Sequence, residues 1–546
     1  MAKHNKQYNH TTTAQRAAAK GGKNDQMAAS TPVKERKPLL LPSALIFFAL
    51  VWLWAAWWYG DVLHIAREYS FWSADSRLMR FEQGVRMSWL WVVGRALLMS
   101  YKWKAVGGLL MAILLAVGSW LLGYCLRLPA KLRALQYIPA AAYMLGLTYI
   151  GFDAYFETET GRIFGLPLAF FTLTLLAAIV VRIVSRKPMN SFVRASKDES
   201  QLHNILLNAT VCAITAASIL LSVYLRPEVR VVASMQHSLE QQDWQAMQDC
   251  ARKHADLSYR QIAAYYAISL VQTNQILEHL FDIRLDYDEP YLHGFNSNGN
   301  NGLNYYVQDC DYHAGLVETA IHHGMEQMTM NGPSIRTLKL LTKCALMRGE
   351  WEVAKKYFTI LGRVPFESAF IDKYTPMLYH KDLIDADPEM ANIRLTEPMN
   401  DIMENTLVQP IFLGYNARLY EGRSEQALYN SIAVSIYTKT MQDFIMRCQP
   451  LQNAEHPLPT SVAEALAIMS GKHPDIMQKY NGLELYRDRF ANFVSMIQPY
   501  LKDRPAHARE LFPDYKGYYG YYYFFGKLKA TKKKKENEGT SNQGVN

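Results

Sequence analysis

Three groups of side chains in this 546-residue chain have types and spacings that could do chemistry. The first is His313, His322 and His323 beside Asp309 and Asp311, since imidazole and carboxylate ligate divalent ions and a loop followed by a helix could gather them. A helix running on from His313 would set His313 and His322 on opposite sides, and adjacent surface histidines are common. They are weak metal candidates, and no bound metal is expected. The second group comprises the Asp-x-Asp pairs Asp286/Asp288, Asp309/Asp311 and Asp385/Asp387, a pattern that can hold a divalent cation and sugar-nucleotide phosphates. Their recurrence in one chain reads as ordinary loop acidity. The third is Asp61, Glu68 and Asp75, which follow an apolar run and could offer a general base to a substrate at a membrane surface.

The usual markers of chemistry are otherwise missing. No GxSxG elbow, HExxH helix, Walker loop, GxGxxG or CxxC pair occurs, so no cofactor is expected and catalysis has no motif behind it.

The elements that must position these residues fall into two halves. Five apolar runs, 39–58, 105–126, 135–152, 163–184 and 205–225, each approach the ~20 residues that cross ~30 Å of hydrocarbon as a helix. None carries a charge in its middle, which also leaves no titratable group for ion-coupled transport. The stretch 44–54, Ala-Leu-Ile-Phe-Phe-Ala-Leu-Val-Trp-Leu-Trp, is apolar on every face, unlike a helix of a soluble domain. The third run is interrupted by Gln136 and Pro139. Residues 87–101 are apolar but short and broken by Arg95, so an interfacial helix is expected there, with Trp89, Trp91 and Tyr101 at headgroup level and Arg95 reaching phosphate. Were that segment to span, the number of crossings would become six.

Lys and Arg crowd the first tail and the segments after the second and fourth runs, which places these in the cytoplasm and the C-terminal half outside it. The net charge of +9 and pI near 9.0 sit in such tails and loops, pointing to anionic lipid rather than nucleic acid. Residues 1–37 and 527–546 read as polar, disordered tails.

From 226 to 526 the pattern becomes amphipathic helical with an internal echo. In ALMRGEWEVAKKYF (345–358), Gly349, Trp351, Ala354 and Phe358 follow one another at the spacing of two close antiparallel helices. Leu239, Gln242, Asp243 and Trp244 repeat the first part, as do Leu419, Gly422 and Ala427, and then Ile468, Gly471, Ile476 and Tyr480. The unit at 345–358 resembles tetratricopeptide repeats, although the 34-residue period is not kept. The layout, with the phrases LEQQDW (239–244) and GYYGYYYFFG (517–526), is similar to an uncharacterised family of multi-pass inner-membrane proteins from Bacteroidales-type bacteria. That resemblance implies location and no activity. The place of Asp61, Glu68 and Asp75 after the first crossing is also where polytopic lipid-linked sugar transferases put a catalytic carboxylate, a likeness of position only.

Cys125 and Cys212 lie in apolar runs, while Cys250, Cys310, Cys344 and Cys448 could be free or paired. The aromatic stretch 515–525 suits either packing against the last repeat or the membrane interface. The expectation is therefore an all-α protein: a polytopic membrane bundle over 38–225 followed by a divergent, TPR-like α-solenoid over 226–526. It is placed in the inner membrane with its N-terminus cytoplasmic and its helical-repeat domain periplasmic. The function expected is a scaffold that contacts membrane lipid and binds an envelope protein, without nucleic acid. The alternative is a polytopic glycosyltransferase-like enzyme acting on a lipid-linked or envelope substrate. One pocket shared by the first loop and the repeat face would favour the enzyme, and a broad open face the scaffold.

Overall fold

The computed structural model describes residues 43–83, 89–128, 130–156, 159–185, 201–285, 306–397, 424–453 and 456–526. These are all-helical, with no strand among the described residues. The Asp286/Asp288 pair, Leu419, Gly422 and both polar tails lie outside them.

The first helix, Ser43–Leu53, is apolar on every face and runs into a π-helical turn, Trp54–Trp58. It then bends by 61° into Gly60–Glu68. The bend turns the chain from an apolar composition to GDVLHIARE, so His64, Arg67 and Glu68 are delivered at the end of the bundle. Gly108 of the helix Lys104–Leu126 makes the first helix's close approach possible, because a Cβ there would come within 2.9 Å of Ala56. The ten-residue helix Trp89–Leu98 lies just as near the start of Arg162–Ser185: a Cβ on Gly94 would sit 2.1 Å from the Gly161 carbonyl oxygen. Gly161 and Gly165 form a small-xxx-small face of the kind that lets membrane helices touch.

Among the described residues three helices, Lys104–Leu126, Arg162–Val184 and Ile205–Leu225, are long and apolar enough to cross a membrane, and the bent first pair makes a fourth if it counts as one crossing. The expected crossing 135–152 is a 3-10 segment, Ala130–Tyr137, followed by Ile138–Ile150, whose 13 residues are too short to cross alone. It nonetheless runs the length of the bundle. At one end the Tyr137 hydroxyl lies 3.1 Å from Ser43 Oγ; at the other the Tyr59 hydroxyl donates to the Leu147 carbonyl at 3.4 Å and Gly151 packs against Val229.

The region of the expected interfacial helix is Trp89–Leu98 and a 3-10 turn, Met99–Lys102. Its Arg95 is engaged within the protein: Nε and Nη2 donate to Glu159 at 2.5 and 2.8 Å, in place of the lipid phosphate expected from the sequence.

The C-terminal half is built from helical hairpins. Among the described residues five share one turn, in which a residue with positive φ closes the first helix: Gln242, Asn274, Gly315, Gly349 and Lys439. In each, the next amide reaches back five residues, as Asp243 N to Ser238 O at 3.0 Å and Glu350 N to Ala345 O at 2.8 Å. These turns fall 32, 41 and 34 residues apart for the first four and 90 before the fifth. The echoes at Gln242 and Gly349 thus mark true turns. The echo at Gly422 lies outside the described residues, and the hairpin that follows it, Glu425–Tyr437 with Met441–Arg447, turns at Lys439. Ala354 and Phe358 are buried between paired helices as their spacing required, with Trp351 at the margin.

The inner face of the hairpin Ile335–Arg348/Trp351–Leu361 is covered by the first loop, where Phe71, Met79 and Met99 pack on Ile335, Leu338, Leu361 and Val364. The aromatic helix Tyr519–Phe525 is buried in the helical half: the Tyr522 hydroxyl donates to the Tyr437 carbonyl at 2.7 Å and the Tyr519 amide to Glu464 at 2.7 Å. Packing, rather than the membrane interface, accounts for that patch. All six cysteines are free thiols.

Candidate functional site

A cavity of about 490 Å³ lies where the bent helix Gly60–Glu68 and the 3-10 turn after it in the first loop meet the helical hairpins. Its wall carries Glu68 and His64 from the first half, and His237, Glu240, Asp309, Arg336, Lys339, Lys343, Glu367 and Glu389 from the second.

The bend carries Glu68 into this wall, where burial without partners would be prohibitive. Its partners are present. Lys339 Nζ lies 2.9 Å from Glu68 Oε2 and 2.8 Å from Glu367 Oε2, and the Arg67 guanidinium bonds both carboxylates. Burial works against the charge on Lys339, but Glu68 and Glu367 outweigh it and raise its pKa. A carboxylate with both oxygens held by cations makes a poor proton acceptor, so Glu68 joins the two halves rather than serving as a base.

The other two carboxylates of the first loop are also committed. Asp61 Oδ1 accepts from Lys104 at 2.8 Å, and Asp75 pairs with Arg363 and accepts from the Arg77 amide at 2.8 Å. Of Asp61, Glu68 and Asp75, only Glu68 reaches this cavity.

His313 also lines the cavity, but alone among the three histidines of its group. Its Nδ1 lies 3.0 Å from Gln272 Nε2, and burial lowers its pKa to about 4, so it is neutral. His323 Nδ1 bonds Asp311 at 2.7 Å and His322 is exposed, so these three do not converge on one ion. The Asp-x-Asp pairs likewise divide their work. Asp309 bonds Arg336 and Tyr265, Asp385 pairs with Arg394, and Asp387 caps the helix Pro388–Thr396. Near His313, burial disfavours an ionised Glu389, but Lys343 at 2.8 Å outweighs it and holds that carboxyl down to about 2.

What converges instead is His64, His237 and Glu240. His64 Nε2 lies 2.9 Å from Glu240 Oε2, His64 Nδ1 lies 3.0 Å from the Tyr101 carbonyl oxygen, and the two imidazole rings stand 4.7 Å apart edge to face. The sequence held one signal for them: His237 and Glu240 are three apart on the helix Pro227–Glu240 and so share a face. His64, 173 positions upstream of His237, had none.

A cation without an ion-pair partner also faces this space. Lys102 lines it and has no ion pair among the described residues, while the Tyr312 hydroxyl lies buried behind the wall without a hydrogen bond. With the rings of Phe370 and Tyr374, the wall gives the cavity donors, acceptors and an apolar face together.

A second cavity of about 650 Å³ opens between the ends of the first and last bundle helices, where Arg230 lies 3.4 Å over the Trp58 ring.

Residues 166–526 match the profile of a family of unknown function, DUF6057. No curated protein and no solved structure matches the chain.

Proposed function

The chain belongs to the family DUF6057, which has no known function to lend it, and we propose from its own geometry that it is a multi-pass membrane protein whose shared cavity receives the polar head of a membrane-borne envelope substrate. One observation carries this reading: Glu68 and His64 of the first half meet Arg336, Lys339 and Glu367 of the second in a single cavity at the end of the apolar bundle. Donors and acceptors beside aromatic rings suit a sugar head, and Lys102 suits a phosphate on it. The class is thus that of a glycosyltransferase-like protein acting on a lipid-linked substrate, with the reacting groups sought at the wall formed by His64, His237 and Glu240 rather than at Asp61, Glu68 and Asp75.

Contacts at the bundle's ends support the multi-pass reading. Residues 159–161 sit with the first loop, through Thr160 Oγ1 to Ser70 Oγ at 2.8 Å and Arg95 to Glu159, while Leu126 and Tyr137 belong to the far end. A chain that leaves at 104, returns by 151, leaves at 162 and returns by 225 crosses four times after the first crossing, so Ile138–Ile150 with the 3-10 segment before it acts as one of five. The Lys and Arg distribution favours a cytoplasmic N-terminus and a helical half on the other side of the membrane, and the resemblance in layout suits an inner membrane with that half periplasmic. The cavity at Trp58 and Arg230 would meet lipid headgroups.

A scaffold role toward an envelope protein is the second reading. Leu485 and Met496 favour it, being strongly exposed and eleven residues apart on one face of Glu484–Ile497. The inner hairpin face is unavailable to such a partner because the first loop fills it.

The deciding measurement is thermal unfolding of the full chain in nanodiscs with and without a polyprenyl-phosphate-linked sugar. A bound head group should stabilise it by about 2.7 kcal/mol at a hundredfold excess over Kd, and Lys102→Ala should reduce that gain. No stabilisation by the lipid-linked sugar, together with stoichiometric capture of an envelope protein lost on Leu485→Glu, would establish the scaffold instead.

A further inference from the structure

We propose that His64, His237 and Glu240 bind a divalent transition-metal ion, zinc by donor preference, on the wall of the shared cavity. The proposal deepens the functional reading and rests on its cavity, but not on the identity of the substrate.

The donors come from two elements that only the fold joins, the bent helix Gly60–Glu68 and the helix Pro227–Glu240, and one ligand atom from each residue lies within 4.8 Å of the others. Two imidazoles and a carboxylate suit zinc, and three protein ligands leave a coordination position for water or substrate. That position would open onto the cavity, whose wall includes all three residues.

The ring nitrogens carry the argument further. A backbone carbonyl can only accept, so the Tyr101 oxygen 3.0 Å from His64 Nδ1 fixes the hydrogen there. His64 Nε2 therefore points a lone pair at Glu240 Oε2, 2.9 Å away, unless a cation stands between them. A proton could fill that role for this pair alone. It would leave His237 unexplained: His237 Nδ1 is buried with no hydrogen-bond partner, while its Nε2 lies 3.1 Å from the Gln241 side-chain Nε2. A metal ion accounts for both, taking His64 Nε2, His237 Nδ1 and a Glu240 oxygen together.

The outer contacts are those of ligating residues. A histidine ligand commonly donates its second N–H to a carbonyl, as His64 does to Tyr101, and a ligating carboxylate is held from behind. Arg336 Nη1 lies 3.5 Å from Glu240 Oε1 and is itself anchored on Asp309. Bound there, zinc would lower the pKa of a water in the open position and so supply a nucleophile or base that the first-loop carboxylates, held by their cations, cannot.

The test uses the full chain purified in detergent, stripped with chelator and reloaded with zinc or cobalt(II). One tightly bound zinc per chain by elemental analysis, and the intense visible bands of tetrahedral cobalt, are expected. His237→Ala, at a half-buried position, and Glu240→Gln should each weaken zinc binding about a hundredfold or more, whereas His322→Ala should change nothing. Equal unfolding temperatures of the metal-free proteins would show that the variants are folded. Zinc retained equally by wild type and His237→Ala, or no zinc retained by either, would overturn the proposal. Stabilisation by a lipid-linked sugar in the metal-free chain would persist in that case, which separates this failure from failure of the functional reading.

Discussion

A buried histidine is a pH-dependent load on a fold, and His313 is the clearest instance in this molecule. Burial brings it from the ordinary value near 6.5 down to about 4, with Lys343 adding to the effect and Glu389 opposing it. The unfolded chain therefore takes up a proton between those values that the folded chain refuses. Its contribution to stability is complete above pH 6.5 and is lost as the pH falls toward 4, a difference of about 3 kcal/mol for a shift of this size. His313→Gln, which keeps a partner for Gln272, should flatten the stability-versus-pH curve over that window by about this amount in chemical denaturation. An unchanged slope would mean that His313 is protonated in the native chain. The same logic explains why Glu68 joins the halves: with Arg67 and Lys339 buried beside it, removal of its charge would leave cations in a medium that cannot solvate them.

At the scale of elements, the helical half is organised by a backbone turn more than by a residue pattern. The left-handed residue that ends each first helix is glycine at Gly315 and Gly349 but Gln242, Asn274 and Lys439 elsewhere, and the backward amide bond is the same throughout. Those three side chains carry the strain of positive φ, and Gln242 and Lys439 use the position to reach Glu389 and the Tyr523 carbonyl. Asn274 lacks such a long reach, so Asn274→Gly should leave stability unchanged or slightly higher. Phe358→Ala, by contrast, empties a buried site between paired helices and should cost about 3 to 5 kcal/mol. Thermal unfolding of the two variants beside the wild type checks both. An undiminished Tm for Phe358→Ala would mean that the hairpin is held by its turn alone.

At the scale of the molecule, the two halves form one body, because the first loop lies in the inner face of a hairpin and a charged cluster joins them. On the multi-pass reading proposed above, the first loop and the helical half share a side of the membrane. A periplasm-active phosphatase fused after residue 240 should be active and a fluorescent reporter there dark, and the same should hold for fusions within the first loop. A fluorescent reporter bright at both sites would reverse the orientation, and one bright at residue 240 alone would make the number of crossings even and part the first loop from the helical half.

The sequence alone determined that the long apolar helices lie before residue 226 and amphipathic ones after it, because hydrophobic period and run length are local properties of the chain. It also located the hairpin around Gly349, where a glycine marks the turn, and the burial of Ala354 and Phe358. It could not find the turns at Asn274 and Lys439, since left-handed backbone there is imposed by the packing of the helices on either side rather than by residue type. Nor could it assemble the cavity. His64 meets Glu240 across 176 positions and Arg67 meets Glu367 across 300, and such pairings exist only after the bend at Tyr59 and the docking of the first loop have set two distant elements face to face.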